Sequence, residues 1–98
     1  MAQVYQLFMM KRTEAWYQLS QEEQDGLNAK MSESLKELGV KPVVLCDSSW
    51  SSEQWPFFGV LEFPDIEAVQ KHRADMNKLG WSRYVDSITV LGSEWQEA

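Results

Sequence analysis

The chain has 98 residues, five of them tryptophan, and a formal net charge of −6. Lysine and arginine form no cluster, so nucleic acid and anionic membrane surfaces are not expected partners. One cysteine excludes an internal disulfide. With no signal peptide and no apolar run long enough to span a bilayer, the sequence predicts a single cytoplasmic domain over residues 1–98.

The first half of the chain predicts a strand, a helix and a second strand. The segment from Gln3 to Arg12 is rich in aromatic and unbranched apolar residues, which favours a strand. Ser20 and Glu23 form a capping box at the start of the helix, and Gly39 is expected to end it after about 19 residues. The segment "KPVVLCDS" predicts the second strand. The face that the helix buries is expected to hold Leu27, Met31, Ser34 and Leu38.

The second half repeats this order after a polar connection that contains Trp50. The segment "WPFFGVLEF" predicts the third strand. Asp65 is a good N-cap for the second helix, and Gly80 is expected to end it. The segment "SRYVDSITVLG" predicts the last strand, and "SEWQEA" forms a tail.

The order of these elements is that of the split β-α-β unit. We therefore predict an α+β, ferredoxin-like βαββαβ fold, with a four-stranded antiparallel sheet and both helices on one face. The strands, however, are apolar on both faces. In the first strand Tyr5, Leu7 and Met9 alternate with Val4, Phe8 and Met10. Because two helices cover only one face, a second copy is the expected cover, and the sequence predicts an isologous homodimer that pairs through the sheet.

On this pattern, residues 3 to 92 resemble the dimeric α/β-barrel superfamily. Its members include small cofactor-free antibiotic-biosynthesis monooxygenases, muconolactone isomerases, stress-responsive barrel proteins and polyketide cyclases. Stress-responsive barrels and their cyclase relatives often carry H-P-x-H in the second helix region, where the first histidine lines a pocket between the helices and the sheet. Here that place holds His72-Arg73-Ala74-Asp75, so the first histidine matches and the proline and second histidine do not.

His72 is the only histidine, and it shares one helical stripe with Val69, Met76 and Leu79. In a half-apolar pocket an imidazole is a good general base near neutral pH, whereas a core-edge histidine with one hydrogen bond is the alternative. We predict His72 as the catalytic acid/base and Tyr84, or else a tryptophan N–H, as the donor that stabilises negative charge. The predicted substrate-binding residues, for which core packing is the competing interpretation, are Trp16, Trp55, Phe57, Met76 and Trp81.

These residues predict a cofactor-independent enzyme that acts on a hydrophobic or aromatic small molecule, by monooxygenation or by isomerisation or cyclisation. The alternative is a non-catalytic small-molecule-binding or structural dimer. One histidine and one cysteine are too few for a zinc site, and no glycine-rich phosphate loop is present. A haem could take His72 as its axial ligand, but nothing else in the sequence favours it, so no cofactor is predicted. Whether the space around His72 is open or filled by side chains decides between the enzyme and the non-catalytic alternative.

Overall fold

The computed structural model describes residues 3–97; Met1, Ala2 and Ala98, which belong to the predicted domain and tail, lie outside the described residues. The elements are β1 (Val4–Arg12), α1 (Glu14–Tyr17), α2 (Gln21–Glu37), β2 (Lys41–Asp47), β3 (Phe57–Phe63), α3 (Ile66–Leu79), α4 (Trp81–Tyr84) and β4 (Val85–Gly92). The four strands form one antiparallel sheet in the order β2-β3-β1-β4. The predicted α+β, ferredoxin-like fold is confirmed.

The ends of the two long helices follow the predicted caps. The backbone N–H of Glu23 donates to Ser20 Oγ at 3.1 Å, and the Glu23 carboxylate accepts from the Ser20 N–H at 2.9 Å. Asp65 Oδ1 accepts from the Ala68 N–H at 2.8 Å and begins α3. At the other ends Gly39 and Gly80 adopt φ values of 72° and 68°, a left-handed conformation that favours glycine.

Two predicted strands begin two or three residues too early, and two short helices were missed. The third strand begins at Phe57 rather than Trp55, because Pro56 has no N–H and its carbonyl accepts from the Ser48 N–H at 2.9 Å. The last strand begins at Val85, because the chain from Trp81 to Tyr84 forms the helical turn α4. Trp55 and Tyr84 therefore lie outside the strands that were expected to hold them.

The sheet has an inner face, on which α2 and α3 pack, and an opposite outer face. The inner face carries the core, in which Phe8, Leu61 and Phe63 contact Ala68 of α3 and Leu35 of α2. On the outer face the strand register aligns two apolar rows. These are Cys46–Phe58–Met9–Ile88 and Val44–Val60–Leu7–Val90. Several of these side chains are exposed in the single chain.

Gly59 lies at the centre of the inner face, between Phe8 on β1 and Leu45 on β2. A Cβ atom at this position would come within 2.6 Å of the Val44 carbonyl oxygen and 2.8 Å of Leu45 Cδ2. The missing side chain therefore lets the neighbouring side chains lie directly against β3.

Among residues 3–97 there is no helix whose length and apolar character would let it cross a membrane.

Candidate functional site

A cavity of about 750 Å³ lies between the inner face and the helices. Residues of all four strands and of α2, α3 and α4 line it. A cavity of this size with a mostly apolar lining and a few polar groups is typical of small-molecule sites. Its apolar lining consists of Phe8, Met10, Met31, Leu35, Val40, Pro42, Leu45, Phe57, Leu61, Trp81 and Val85.

His72 also lines this cavity, and a serine and an aspartate fix its ring. Ser34 Oγ donates to Asp75 Oδ2 at 2.8 Å and lies 2.9 Å from His72 Nδ1. A serine hydroxyl has one hydrogen and a carboxylate only accepts, so His72 Nδ1 must carry the hydrogen in its bond to Ser34. The lone pair of the neutral ring is therefore on Nε2.

The helices α2 and α3 position Ser34, His72 and Asp75, which together form a hydrogen-bonded triad. Ser34 is on the buried face of α2 and only 5% exposed, whereas His72 and Asp75 are one turn apart on α3. The ring of Phe63 lies 6.0 Å from the imidazole, centroid to centroid. The triad therefore links the two helices at the edge of the core.

Burial lowers the pKa of His72 below its usual value. The nearby Asp75 carboxylate acts in the opposite direction and raises this pKa, while the Arg73 charge lowers it. The net direction keeps the imidazole neutral at neutral pH. A neutral imidazole with a free Nε2 can accept a proton.

A second group of polar atoms lines the cavity. The Arg12 guanidinium lies 3.9 Å above the ring of Trp16, and Trp16 meets Trp81 edge-on at 6.3 Å. Arg12 Nη1 and Asn28 Oδ1 are both buried and have no hydrogen-bond partner among the described residues. Burial lowers the pKa of Arg12.

The predicted site residues are only partly brought together. His72, Phe57 and Trp81 line the cavity. Met76 and Trp16 are buried and are not among its lining residues. Trp55 and Tyr84 do not line it either. The backbone of Trp55 bonds to the Ser48 and Ser52 hydroxyls, and the Tyr84 carbonyl accepts from the Thr13 N–H at 3.0 Å. The catalytic and binding roles stay predictions.

Sequence reasoning missed Arg12 and Asn28 and did not give Ser34 a role at the site. Ser34 was expected on the buried face of the first long helix, and a hydroxyl among apolar residues there needs a partner. Arg12 continues the alternation of Phe8 and Met10, which places it on the inner face. Cys46 lies on the outer face, on the opposite side of the sheet from His72. Across residues 3–97, no three His, Cys, Asp or Glu side chains are grouped to hold a metal ion.

The fold and the cavity define a small ferredoxin-like protein with one histidine at an apolar cavity. The chain belongs to a family of unknown function, DUF6616, whose model matches residues 2–97. A search of curated proteins finds no match.

Solved structures with the same fold include larger proteins. A haem-binding protein from Thermus thermophilus is similar with a TM-score of 0.72 and 16% identity, over 94% of this chain and 40% of that one. A chlorite dismutase from Candidatus Nitrospira defluvii has a TM-score of 0.72 and 12% identity, over 96% of this chain and 41% of that one. The chain thus spans about 40% of the length of these two proteins.

A protein of comparable length shares the fold as well. A dimeric protein of unknown function with a ferredoxin-like fold from Bacteroides fragilis is similar with a TM-score of 0.50 and 13% identity. This match covers 94% of this chain and 96% of that chain. At these identities the similarities to solved structures show the fold alone.

Proposed function

We propose that the protein is a cofactor-independent enzyme that acts on a hydrophobic, aromatic small molecule with His72 as its acid/base. One observation carries this proposal: the only histidine lines a cavity of about 750 Å³ while Ser34 binds its Nδ1. This arrangement leaves Nε2 as the free base. The apolar lining suits an aromatic body, and a bound substrate would displace water from the place of proton transfer.

In this mechanism Nε2 of His72 takes a proton from a carbon or hydroxyl of the substrate. The imidazolium that forms donates through Nδ1 to Ser34, which donates to Asp75, so the carboxylate stabilises the positive charge through one hydroxyl. Isomerisation, cyclisation and cofactor-free monooxygenation can all begin with this proton removal. In isomerisation and cyclisation the product is completed when His72 returns the proton or the substrate takes another from water. In monooxygenation the substrate anion itself gives electrons to O₂, one oxygen atom enters the product, and the other leaves as water.

The donor that stabilises developing negative charge is proposed to be Trp81 or Tyr84. Trp81 lines the cavity and Tyr84 does not, which favours Trp81. Single Trp81→Phe and Tyr84→Phe variants compare the two. The variant that removes the working donor lowers kcat, and the other leaves kcat unchanged.

A small molecule that loses a proton from carbon gives a direct test of His72 as a base. With 5-nitrobenzisoxazole, a base removes the C3 proton while the N–O bond breaks, which releases a coloured cyanophenolate. We expect the protein to accelerate this reaction and His72→Gln to lose about a hundredfold of the rate. Ser34→Ala, which frees the ring but keeps the base, loses about tenfold.

Cys46→Ala is the matched control, since its thiol lies on the outer face. It should leave the rate unchanged. The rate should also rise with pH and level off above the lowered pKa of His72. If the probe binds and His72→Gln reacts as fast as the wild type, the alternative of a non-catalytic small-molecule-binding dimer replaces the enzyme.

We also propose that the protein is a homodimer that pairs through the outer face, as a dimeric α/β barrel. The two apolar rows of that face are flanked by polar residues, Tyr5 with Glu62 on one side and Lys11 with Asp86 on the other. An apolar centre with a polar rim is the usual anatomy of a protein interface. The neighbour from Bacteroides fragilis is itself dimeric.

The mass of the native protein tests the dimer. Native mass spectrometry should show a species of twice the chain mass. The substitution Leu7→Lys, in the apolar row Val44–Val60–Leu7–Val90, should give a monomer. Leu91→Lys is the control, because Leu91 is similarly exposed but its register places it on the inner side of the sheet. A wild-type monomer, or a dimer that survives Leu7→Lys, would show that the outer face is not the interface.

Haem binding is a second candidate, favoured by the way Ser34 and Asp75 hold His72. A metal-bound histidine usually donates its other ring nitrogen to such a partner, and His72 would be the iron ligand here. When bound, a haem would supply redox chemistry. Titration with hemin tests this: a Soret shift that His72→Ala removes supports it, and an unchanged hemin spectrum rejects it.

The free thiol of Cys46 fits a reducing compartment, and we propose that the protein is located in the cytoplasm.

A further inference from the structure

The charged residues that line the cavity are all basic. The chain is acidic overall, with a formal charge of −6. Yet the residues that line the cavity include Arg12, Lys36 and Lys41 and, among the described residues, no aspartate or glutamate. Arg12 is the one of the three that is not exposed, and in the lower dielectric of the cavity its charge acts more strongly than a surface charge. The cavity therefore selects against cations and for an anionic ligand.

Arg12 is the cation that lies inside. Lys36 and Lys41 are exposed and keep their charges at the rim, whereas Arg12 is half-buried and stacks on the buried ring of Trp16. This contact holds the guanidinium against the indole ring, and the N–H groups that do not face the ring stay available for hydrogen bonding. Nη1 is buried and has no hydrogen-bond partner within residues 3–97, and an unpaired buried donor on a charged group is costly. Because the side chain as a whole is only half-buried and lines the cavity, a ligand carboxylate would bind its remaining N–H groups and supply the negative charge that offsets the cost of burying Arg12.

We propose that Arg12 is the anchor for a carboxylate, so that the substrate of this cavity is an apolar organic acid with a single negative charge. This inference rests on the proposed function, because it names the substrate class of the same cavity. A guanidinium fits the two oxygens of a carboxylate with parallel hydrogen bonds. One interior cation balances one charge, whereas a phosphate dianion would keep a second charge unpaired in an apolar surrounding.

The anchor and the base lie at opposite ends of the inner face. Arg12 pairs with Val85 at one end of β1, whereas Phe63, which contacts His72, pairs with Val4 at the other end. The carboxylate is thus remote from the atom that His72 would deprotonate. Binding of this remote group positions the reacting part of an elongated substrate.

Matched acids and amides test the anchor. The probes are naphthalene-2-carboxylate, 4-phenylbutyrate and dodecanoate, each paired with its neutral amide, with affinities measured by isothermal titration calorimetry at pH 7. We expect at least one acid to bind about tenfold more tightly than its amide. Arg12→Gln should reduce this preference to less than twofold by weakening the acid and not the amide.

Lys11→Gln is the matched control, because Lys11 precedes Arg12 on the same strand and faces the opposite side of the sheet. It changes the net charge equally and should keep the tenfold preference. If acids and amides bind equally, or if the preference survives Arg12→Gln, the anchor is wrong and the cavity still binds small molecules. If no probe binds at all, the proposed small-molecule function fails and this inference fails with it.

A measurement on the unmodified protein covers the case in which Arg12→Gln does not fold. In ¹⁵N-resolved spectra the Arg12 side-chain N–H signals should shift when the bound acid is added. They should stay in place with the corresponding amide. An acid that binds without moving these signals overturns the proposal.

Discussion

The two faces of the sheet are similar in composition and different in surroundings. On the inner face Phe8, Leu61 and Phe63 are covered by helices, and a cavity with a histidine and an arginine remains between the layers. On the outer face Leu7 and Val90 are just as apolar but stay open in the single chain. Apolar alternation therefore identifies the side chains that need cover and does not identify what covers them.

The largest expected effect distinguishes folding from assembly. Phe63 has no exposed surface, so Phe63→Ala should lower the free energy of unfolding by about 3–5 kcal/mol at every protein concentration. Val90 is 58% exposed, and Val90→Ala should cost stability mainly through the dimer. Urea unfolding at two concentrations a hundredfold apart compares them. A loss for Val90→Ala that is equal at both concentrations would count against the outer face as the interface.

A smaller effect compares two glycines on the two faces. Gly59→Ala places a Cβ within 2.6 Å of the Val44 carbonyl oxygen and should lower stability by about 1–3 kcal/mol. Gly92, which pairs with Tyr5 on the outer face, has nothing within 4 Å of such a Cβ. Gly92→Ala should therefore be close to neutral. Thermal unfolding of both variants measures the difference, and equal melting temperatures would mean that the inner face can relax around the methyl group.

The smallest effect is the titration of His72. Burial lowers its pKa, so the unfolded chain binds a proton at a pH where the folded protein does not. Stability should be full above the unfolded value of about 6.5 and fall as the pH decreases through it, levelling off below the lowered folded value. Since the chain has one histidine, its ring proton signals give the midpoint directly.

Two substitutions sharpen this titration. Asp75→Asn removes the charge that raises the pKa of His72 and should move the midpoint to lower pH. Arg73→Gln should move it to higher pH. A wild-type midpoint at or above the ordinary value of 6.5 would show that the imidazole is not buried as described.

Much of the fold could be predicted because its signals are local. The capping box of Ser20 and Glu23, the cap at Asp65 and the glycines that end both helices depend on neighbouring residues. The short helices α1 and α4 were missed because four residues are too few to show a helical period. Trp55 was assigned to a strand because its side chain favours one, whereas Pro56 and the serine connection decide its position.

The site depended on contacts between distant parts of the chain. Ser34 bonds to His72 and Asp75, 38 and 41 residues further along, and nothing in the sequence sets that pairing. The helical stripe placed His72 on the right face but did not show whether the space beside it was open or filled. The alternation of β1 could have placed Arg12 on the inner face, but the contact of its guanidinium with Trp16 and the lack of a partner for Nη1 among the described residues depend on packing.

The strand order also sets the sequence of events in folding. β2 and β3 are consecutive and can pair early, and β1 can then pair with β3, but the other edge of β1 needs β4, where Tyr5 pairs with Gly92 at almost the opposite end of the chain. Closing so long a loop is slow, because its entropy is lost before the contacts form. During synthesis β1 can therefore pair with β3 first, and its other edge stays unpaired until β4 leaves the ribosome. The cavity, which both strands line, can form only in that last step.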